Sequence, residues 1–293
     1  MDKSEREQLL KNIQYSDADW LESASEIFKK DKEFILEAVK LNGLALEYAD
    51  DNLRKDKEVV LAAMKENPRA IYDADDSLMT DKEIILIGFN HSIELLDCAA
   101  DTLKKNKSFI QELVKIDGYA LYYADDSLKK DKKTVLDAVK QNGRSLKYAD
   151  KILREDRNFI LKVVKKNHDV FEYIDRSLKK DKKFILKAVK LLGNFLAYAD
   201  KNLKKDKKIV LEAVKQQGLA LEYADKSLKK DKKIVLEAVK QYGHALEYAD
   251  KNLKKDKKIV LEAAKSMKKW RKILKKQERI SEEKWGIKNS EKN

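Results

Sequence analysis

This chain has almost no cysteine or proline, little glycine and no long apolar run. A single cysteine, Cys98, in 293 residues excludes an internal disulfide or a cysteine-ligated cluster, and points to a reducing, cytoplasmic setting. One proline and eight glycines are too few for the turns of an all-β fold. No stretch reaches the ~20 uncharged apolar residues of a membrane span, so no integral membrane segment is expected. The opening Met-Asp-Lys-Ser-Glu-Arg lacks the apolar centre of a secretory signal, while translocation into a host cell by another route stays compatible with it. There is no Gly-rich phosphate loop, no His-x-x-x-His pair and no nucleophile elbow. The three histidines, His91, His168 and His244, fall at or beside turns of separate repeats and cannot share a metal within one. The chain is therefore read as non-catalytic, with no cofactor and no metal.

What abounds is charge and repetition. Charged residues make up 40% of the chain, against ~25% in an ordinary domain. Lys and Arg total 65 and Asp and Glu 52, a formal net charge of +13. From Asp31 one unit recurs every 25 residues without insertion, through Asp56, Asp81, Asn106, Asp131, Asp156, Asp181, Asp206, Asp231 and Asp256. Residues 1–30 form a divergent N-terminal capping repeat and 31–255 nine full units. Residues 256–283 are a partial repeat running into a basic capping helix, and 284–293 are a frayed tail.

Three columns mark the core. The first runs Phe28, Leu53, Leu78 to Leu253, the second Leu46, Ile71 to Leu246, and the third Ala49, Ala74 to Ala249. Within a unit the period is helical, as for Val135, Leu136, Ala138 and Val139 after the N-cap Asp131. Gly143 sits where a left-handed residue would end that helix. Leu146, Ala149 and Leu153 then mark a second segment, one helix or a short helix with a 3₁₀ turn. One unit cannot bury enough apolar surface to fold alone, so the units must stack. The expectation is an all-α solenoid of about ten 25-residue two-helix repeats.

The string Leu-x-Tyr-Ala-Asp-x-x-Leu-Lys-Lys-Asp-Lys-x-[Ile/Val]-[Val/Leu]-Leu-x-Ala-Val-Lys-x-x-Gly, as at 221–243, resembles the bacterial repeat family known as domain of unknown function four-one-one-six. The resemblance runs from Ala24 to Lys265 and implies no activity. Asn67-Pro68 with Ile71, Ala74 and Asp75 is also similar to leucine-rich-variant repeats, which alternate an α-helix with a short 3₁₀ helix. That similarity implies a right-handed solenoid.

Comparison among the units isolates two surfaces. Units 206–230 and 231–255 differ only at Gln217/Tyr242, Leu219/His244 and Ser227/Asn252. Two of those slots flank the glycine. The slot after it reads Leu44, Arg69, Glu94, Tyr119, Arg144, Asp169, Asn194, Leu219 and His244. This is either drift at an exposed turn or a recognition edge. The slot before it is equally varied. The second surface is charge. Residues 1–100 hold 13 basic against 23 acidic residues and 101–293 hold 52 against 29. The Lys-Lys-Asp-Lys-Lys corners supply Lys179, Lys180, Lys182, Lys183, Lys204, Lys205, Lys207, Lys208, Lys229, Lys230, Lys232 and Lys233. They form either a solvated face or an anion edge for nucleic acid or another polyanion. The tyrosine column, Tyr48 to Tyr248, reads as inter-unit packing with wet hydroxyls. Met267, Trp270 and Leu274 continue an apolar stripe among lysines, as a cap over the last unit. The acidic first hundred residues favour a monomeric protein-binding scaffold, with an unidentified protein partner, over a polyanion binder.

Overall fold

The computed structural model describes residues 3–15, 18–269 and 271. It divides into two compact units, Met1–Asp150 and Lys151–Asn293. Among the described residues every regular element is helical and none is a strand. The first unit carries α1 (Lys3–Tyr15), α2 (Lys32–Leu41), α3 (Lys57–Glu66), α4 (Lys82–His91), α5 (Lys107–Ile116) and α6 (Lys132–Gln141). The second carries α7 (Arg157–Val164), α8 (Lys182–Leu191), α9 (Lys207–Gln216), α10 (Lys232–Gln241) and a further helix over 257–269. Each unit is an all-α repeat solenoid.

The repeats share one plan, with departures at Asn106, which replaces the capping aspartate of α5, at Ala100, which makes no second cap, and at α7, which has 8 residues. An aspartate caps the main helix: the Asp31 carboxylate accepts from the Phe34 amide at 3.0 Å, and Asp131 from the Thr134 amide at 2.9 Å and hydroxyl at 2.8 Å. Ten residues follow, about 15 Å of helix. Four apolar side chains spaced i, i+1, i+4, i+5 are buried, as for Phe34, Ile35, Ala38 and Val39 in α2. The helix ends on an extended residue, Asn42 in α2, and a 3₁₀ segment begins at once, Gly43–Tyr48 there. A second aspartate then caps a short helix: Asp50 accepts from the Asn52 amide at 3.0 Å ahead of Asp51–Arg54. The segment after the glycine is thus a 3₁₀ stretch plus a short helix. In the last three repeats the short helix is itself 3₁₀, at Leu203–Lys205, Leu228–Lys230 and Leu253–Lys255.

The glycine has a different job from the one its position suggests. Gly143 opens a right-handed 3₁₀ segment, Gly143–Tyr148. Gly43, Gly118, Gly193, Gly218 and Gly243 likewise lie outside the left-handed region. They are needed for close approach. A Cβ on Gly43 would stand 2.4 Å from the Ala63 carbonyl oxygen, and the same distance recurs for Gly118 on Ala138, Gly193 on Ala213, Gly218 on Ala238 and Gly243 on Ala263. The missing side chain lets each turn rest on the backbone of the next main helix.

Three further bonds stitch neighbouring repeats. A backbone amide crosses at a fixed offset: Asp50 N–H to Lys29 C=O at 3.0 Å, Asp125 to Lys104 at 3.0 Å, Asp225 to Lys204 at 3.0 Å. In most repeats the first basic residue of the main helix reaches the next N-cap: Lys32 to Asp56 at 2.7 Å, Lys57 to Asp81 at 2.7 Å, Lys207 to Asp231 at 2.5 Å, and Arg157 to Asp181. In some repeats a side chain near the helix end clasps the previous turn. Gln141 accepts from the Gly118 amide at 2.8 Å and donates to the Ile116 carbonyl at 3.1 Å.

The core columns largely hold. Leu103, Leu128, Leu153 and Leu178 are buried, whereas Leu78 is half-buried because Met79 takes its place. Leu203, Leu228, Leu253 and Leu246 are half-buried. The divergent first repeat keeps the same order of elements, with Ile13, Ala18, Leu21 and Phe28 buried. At the far end Met267 covers the Gly243 turn, its Cγ lying 2.7 Å from where a Cβ on that glycine would stand. Trp270, Leu274 and the tail 284–293 lie outside the described residues.

Candidate recognition surface

The slot before the glycine is a capping slot in most repeats. Asn42, Asn67, Ser92, Asp117, Asn142 and Asn167 each accept the amide two residues on, for example Leu44 N–H to Asn42 at 3.1 Å. Variation there is therefore held to one chemistry. Leu192, Gln217 and Tyr242 make no such cap. In the last three turns this slot does not cap the 3₁₀ segment.

The slot after the glycine is exposed at Leu44, Arg69, Glu94, Arg144, Asp169, Leu219 and His244, and half-buried at Tyr119 and Asn194. Alternation sets this: the glycine and the residue two past it point inward, as with Gly218 and Ala220, so Leu219 between them faces out. Several of these side chains are already engaged. Tyr119 stacks edge-on against Tyr148, centroids 5.9 Å apart, with the Lys147 ammonium 5.5 Å from its ring.

The uncapped turns converge. Asn194, Gln217, Gly218, Leu219, Gln241 and Tyr242 line a cleft of about 240 Å³ in the second unit. Gln217 accepts from the Asn194 amide at 2.7 Å. The Asn194 side-chain oxygen is buried without a hydrogen-bond partner among the described residues. Beside the cleft the Tyr242 and His244 rings lie 4.9 Å apart. The arrangement offers an unmet acceptor, an exposed leucine and a pair of rings.

The lysine corners divide in two. Lys182, Lys207 and Lys232 pair with Asp206, Asp231 and Asp256 at 2.5, 2.5 and 2.6 Å. Lys179, Lys204 and Lys229 lie half-buried and donate to the carbonyls of Glu172, Ala197 and Glu222 at 3.0, 2.6 and 2.6 Å. Burial pushes the Lys179 and Lys204 ammonium groups down from their ordinary value. These six serve the fold. Lys180, Lys183, Lys205, Lys208, Lys230 and Lys233 are exposed and form no ion pair within 4.0 Å of a described residue. The anion edge expected from the sequence is thus half as dense as its lysine count.

The tyrosine column is half-buried throughout, and Tyr48 donates to Asp19 at 2.7 Å. Hydrogen bonding to that carboxylate, with burial, pushes the Tyr48 phenol up. Cys98 is half-buried in the same column, where burial raises its thiol. Among the described residues no three His, Cys, Asp or Glu side chains converge on a metal-sized site. No described helix is long and apolar enough to cross a membrane.

Sequence reasoning did not find the Gln141 clasp, the capping role before the glycine, or the 240 Å³ cleft. The repeated Asn, Ser and Asp before the glycine were a visible capping signal; the cleft depends on contacts between repeats. A family model described as Domain of unknown function (DUF4116) matches residues 6–54, 31–79, 56–104, 81–129, 106–154, 156–204, 181–229, 206–254 and 231–275. No curated protein and no solved structure matches the chain significantly.

Proposed function

This chain belongs to the DUF4116 family, whose description carries no activity, and from its own surface we propose that it is a non-catalytic scaffold that binds a protein through the turn edge. The observation that supports this most is the contrast between units 206–230 and 231–255. They agree everywhere except at three slots, and two of these, Gln217/Tyr242 and Leu219/His244, lie at the turn cleft. Neutral drift between near-identical repeats would spread over all exposed positions. In this reading the chain acts as a monomer in a reducing compartment, and Asn194, Leu219, Tyr242 and His244 are its contact residues.

The test replaces Leu219, Tyr242 and His244 together by serine. Exposed changes usually fall within ~0.5 kcal/mol each, so helicity and melting should hold. Cross-linking with mass spectrometry should then show a partner of the wild-type chain lost. A partner retained with unchanged affinity sinks the turn edge.

The six unpaired lysines favour a second reading, a polyanion binder through residues 101–293. The 23 acidic residues of the first hundred weigh against it, because they repel phosphate.

A further inference from the structure

The repeat around His168 combines three features, of which only the short main helix is peculiar to it; Pro68 and Ile93 also replace the glycine, and α3 lies as sparsely against α4. First, histidine stands where most repeats have glycine, so this turn cannot rest on the backbone near Ala188 as Gly218 rests on Ala238. Second, α7 stops at Val164 after 8 residues where its neighbours run 10. Third, α7 lies more sparsely against α8 than α8 lies against α9. A cleft of about 510 Å³ opens on that side, lined by Arg157, Leu161, Lys183, Leu186, Lys187 and Lys190.

The charge on its walls is equally specific. The slot of Lys187 is acidic in six of ten repeats, as Glu37, Glu112, Asp137, Glu212, Glu237 and Glu262. It is basic only at Lys162 and Lys187. Of the main helices, only α7 and α8 contain no acidic residue. In three of those repeats the acid pairs with the lysine three residues on: Lys140 to Asp137 at 2.7 Å, Lys215 to Glu212 at 3.4 Å and Lys265 to Glu262 at 2.9 Å. Lys190 lacks this partner and reaches only Glu212 of the next helix, at 3.8 Å.

We propose that this cleft receives an acidic amphipathic helix of a protein partner. The inference rests on reading the chain as a protein-binding scaffold and adds a second contact site with defined chemistry. Lys183, Lys187 and Lys190 are spaced i, i+4, i+7 on one face, so they rise about 6 and 10.5 Å along α8. Carboxylates at i, i+4, i+7 on a docked helix have the same rise. Leu161 and Leu186 are half-buried between the cations and call for an apolar side chain. A bare phosphate chain meets the charge but leaves these leucines wet. A helix laid in a groove satisfies both.

The probe is a fluorescein-labelled, alanine-based helical peptide with Glu at i, i+4 and i+7 and Leu at i+3, titrated with the full chain and read by anisotropy. Binding should weaken at least tenfold with Lys187→Glu. It should weaken likewise when the peptide leucine becomes serine or its glutamates become glutamine. His168→Gly should also weaken binding while leaving every cation in place, because the turn can then settle onto α8. Circular dichroism checks that each variant keeps its helix content. A Lys187→Glu chain that binds unchanged overturns the proposal. So does a leucine-to-serine peptide that binds equally well, since that is charge attraction alone. Self-association of the wild-type chain abolished by Lys187→Glu also overturns it, by making a second copy the occupant. The triple serine variant of the turn edge should bind the peptide normally, so the two sites fail or survive separately.

Discussion

Replacing Gly218 by alanine should destabilise the second unit, although the substitution looks favourable from backbone conformation alone. Gly218 opens a right-handed 3₁₀ segment, a conformation any residue adopts. At such a site alanine commonly adds about 0.4–1 kcal/mol, because it restricts the unfolded chain. The opposing effect is steric. The new Cβ would lie 2.4 Å from the Ala238 oxygen and 3.0 Å from the Tyr242 nitrogen, both backbone atoms. A relaxed C···O contact is about 3.3–3.6 Å. The turn and α10 must therefore part by about 1 Å, against an overpacking cost of about 1–3 kcal/mol. Hydrogen exchange read by mass spectrometry is suited to an array that need not unfold as one body. After the favourable alanine effect is subtracted, the net cost is up to about 2.6 kcal/mol, so amides of 207–216 and 232–241 should exchange faster, by up to about 80-fold. Gly88→Ala is the control. Its Cβ would meet only side-chain carbons, Leu95 Cβ at 3.3 Å and Ile71 Cδ1 at 3.4 Å. It lies inside α4, where alanine is favoured by about 1 kcal/mol, so exchange there should hold or slow. Protection raised at 232–241 by Gly218→Ala would refute the close-approach account.

Acid should expose the N-cap network. Burial pushes the Asp131 carboxyl up, but the Lys107 ammonium and the Thr134 amide and hydroxyl outweigh it and hold the group at about 2. A depressed carboxyl stabilises the fold above its unfolded value of about 3.9 and loses that contribution as pH falls through its folded value. The melting difference between wild type and Asp131→Asn should therefore shrink from pH 5 to pH 2; a constant difference would show that charge pairing at this cap is immaterial. For the lysine edge, binding to a short DNA duplex should be micromolar at low salt and vanish near physiological salt, where the Debye length is about 8 Å. Replacing Lys180, Lys183, Lys205, Lys208, Lys230 and Lys233 by glutamine should flatten the salt slope, which is about −0.9 per phosphate neutralised. Tight, salt-resistant binding would promote the polyanion reading.

The repeat length, the aspartate caps and most core positions were legible because each is set within one unit and copied in register. Asp131 and Val135 need only the local helix to explain them. The glycine was misread because its role lies twenty residues away, at a carbonyl that local pattern cannot place. Asn42 and Asp117 were read as variable although both perform one capping reaction; residue identity obscured a shared chemistry. The lysine corners were overcounted for the same non-local reason, since Lys207 is spent on Asp231 and Lys204 on the Ala197 carbonyl. The cleft beside α7 combines the histidine, the short helix, the sparse packing and the missing acids, and none of them alone marks a site.

The fixed offsets between repeats have a consequence for how such a chain can change length. Lys182 meets Asp206 and Lys207 meets Asp231 by the same bond. Excising 206–230 would join Lys205 to Asp231 and hand Lys182 a new aspartate in the old position. Gly193 would inherit Ala238 in place of Ala213, and the amide of Asp225 would be replaced at the Lys204 carbonyl by that of Asp250. These three seams would close on equivalent atoms, whereas the Asn194 amide would face Tyr242 in place of Gln217. Loss of a single residue from the same stretch would instead shift the cap, the glycine and the lysine out of step at once. Recombination between repeats therefore has a built-in quantum of 25 residues. Whole repeats are exchangeable parts, and the gene can lengthen or shorten the array while keeping the cap, glycine and backbone seams.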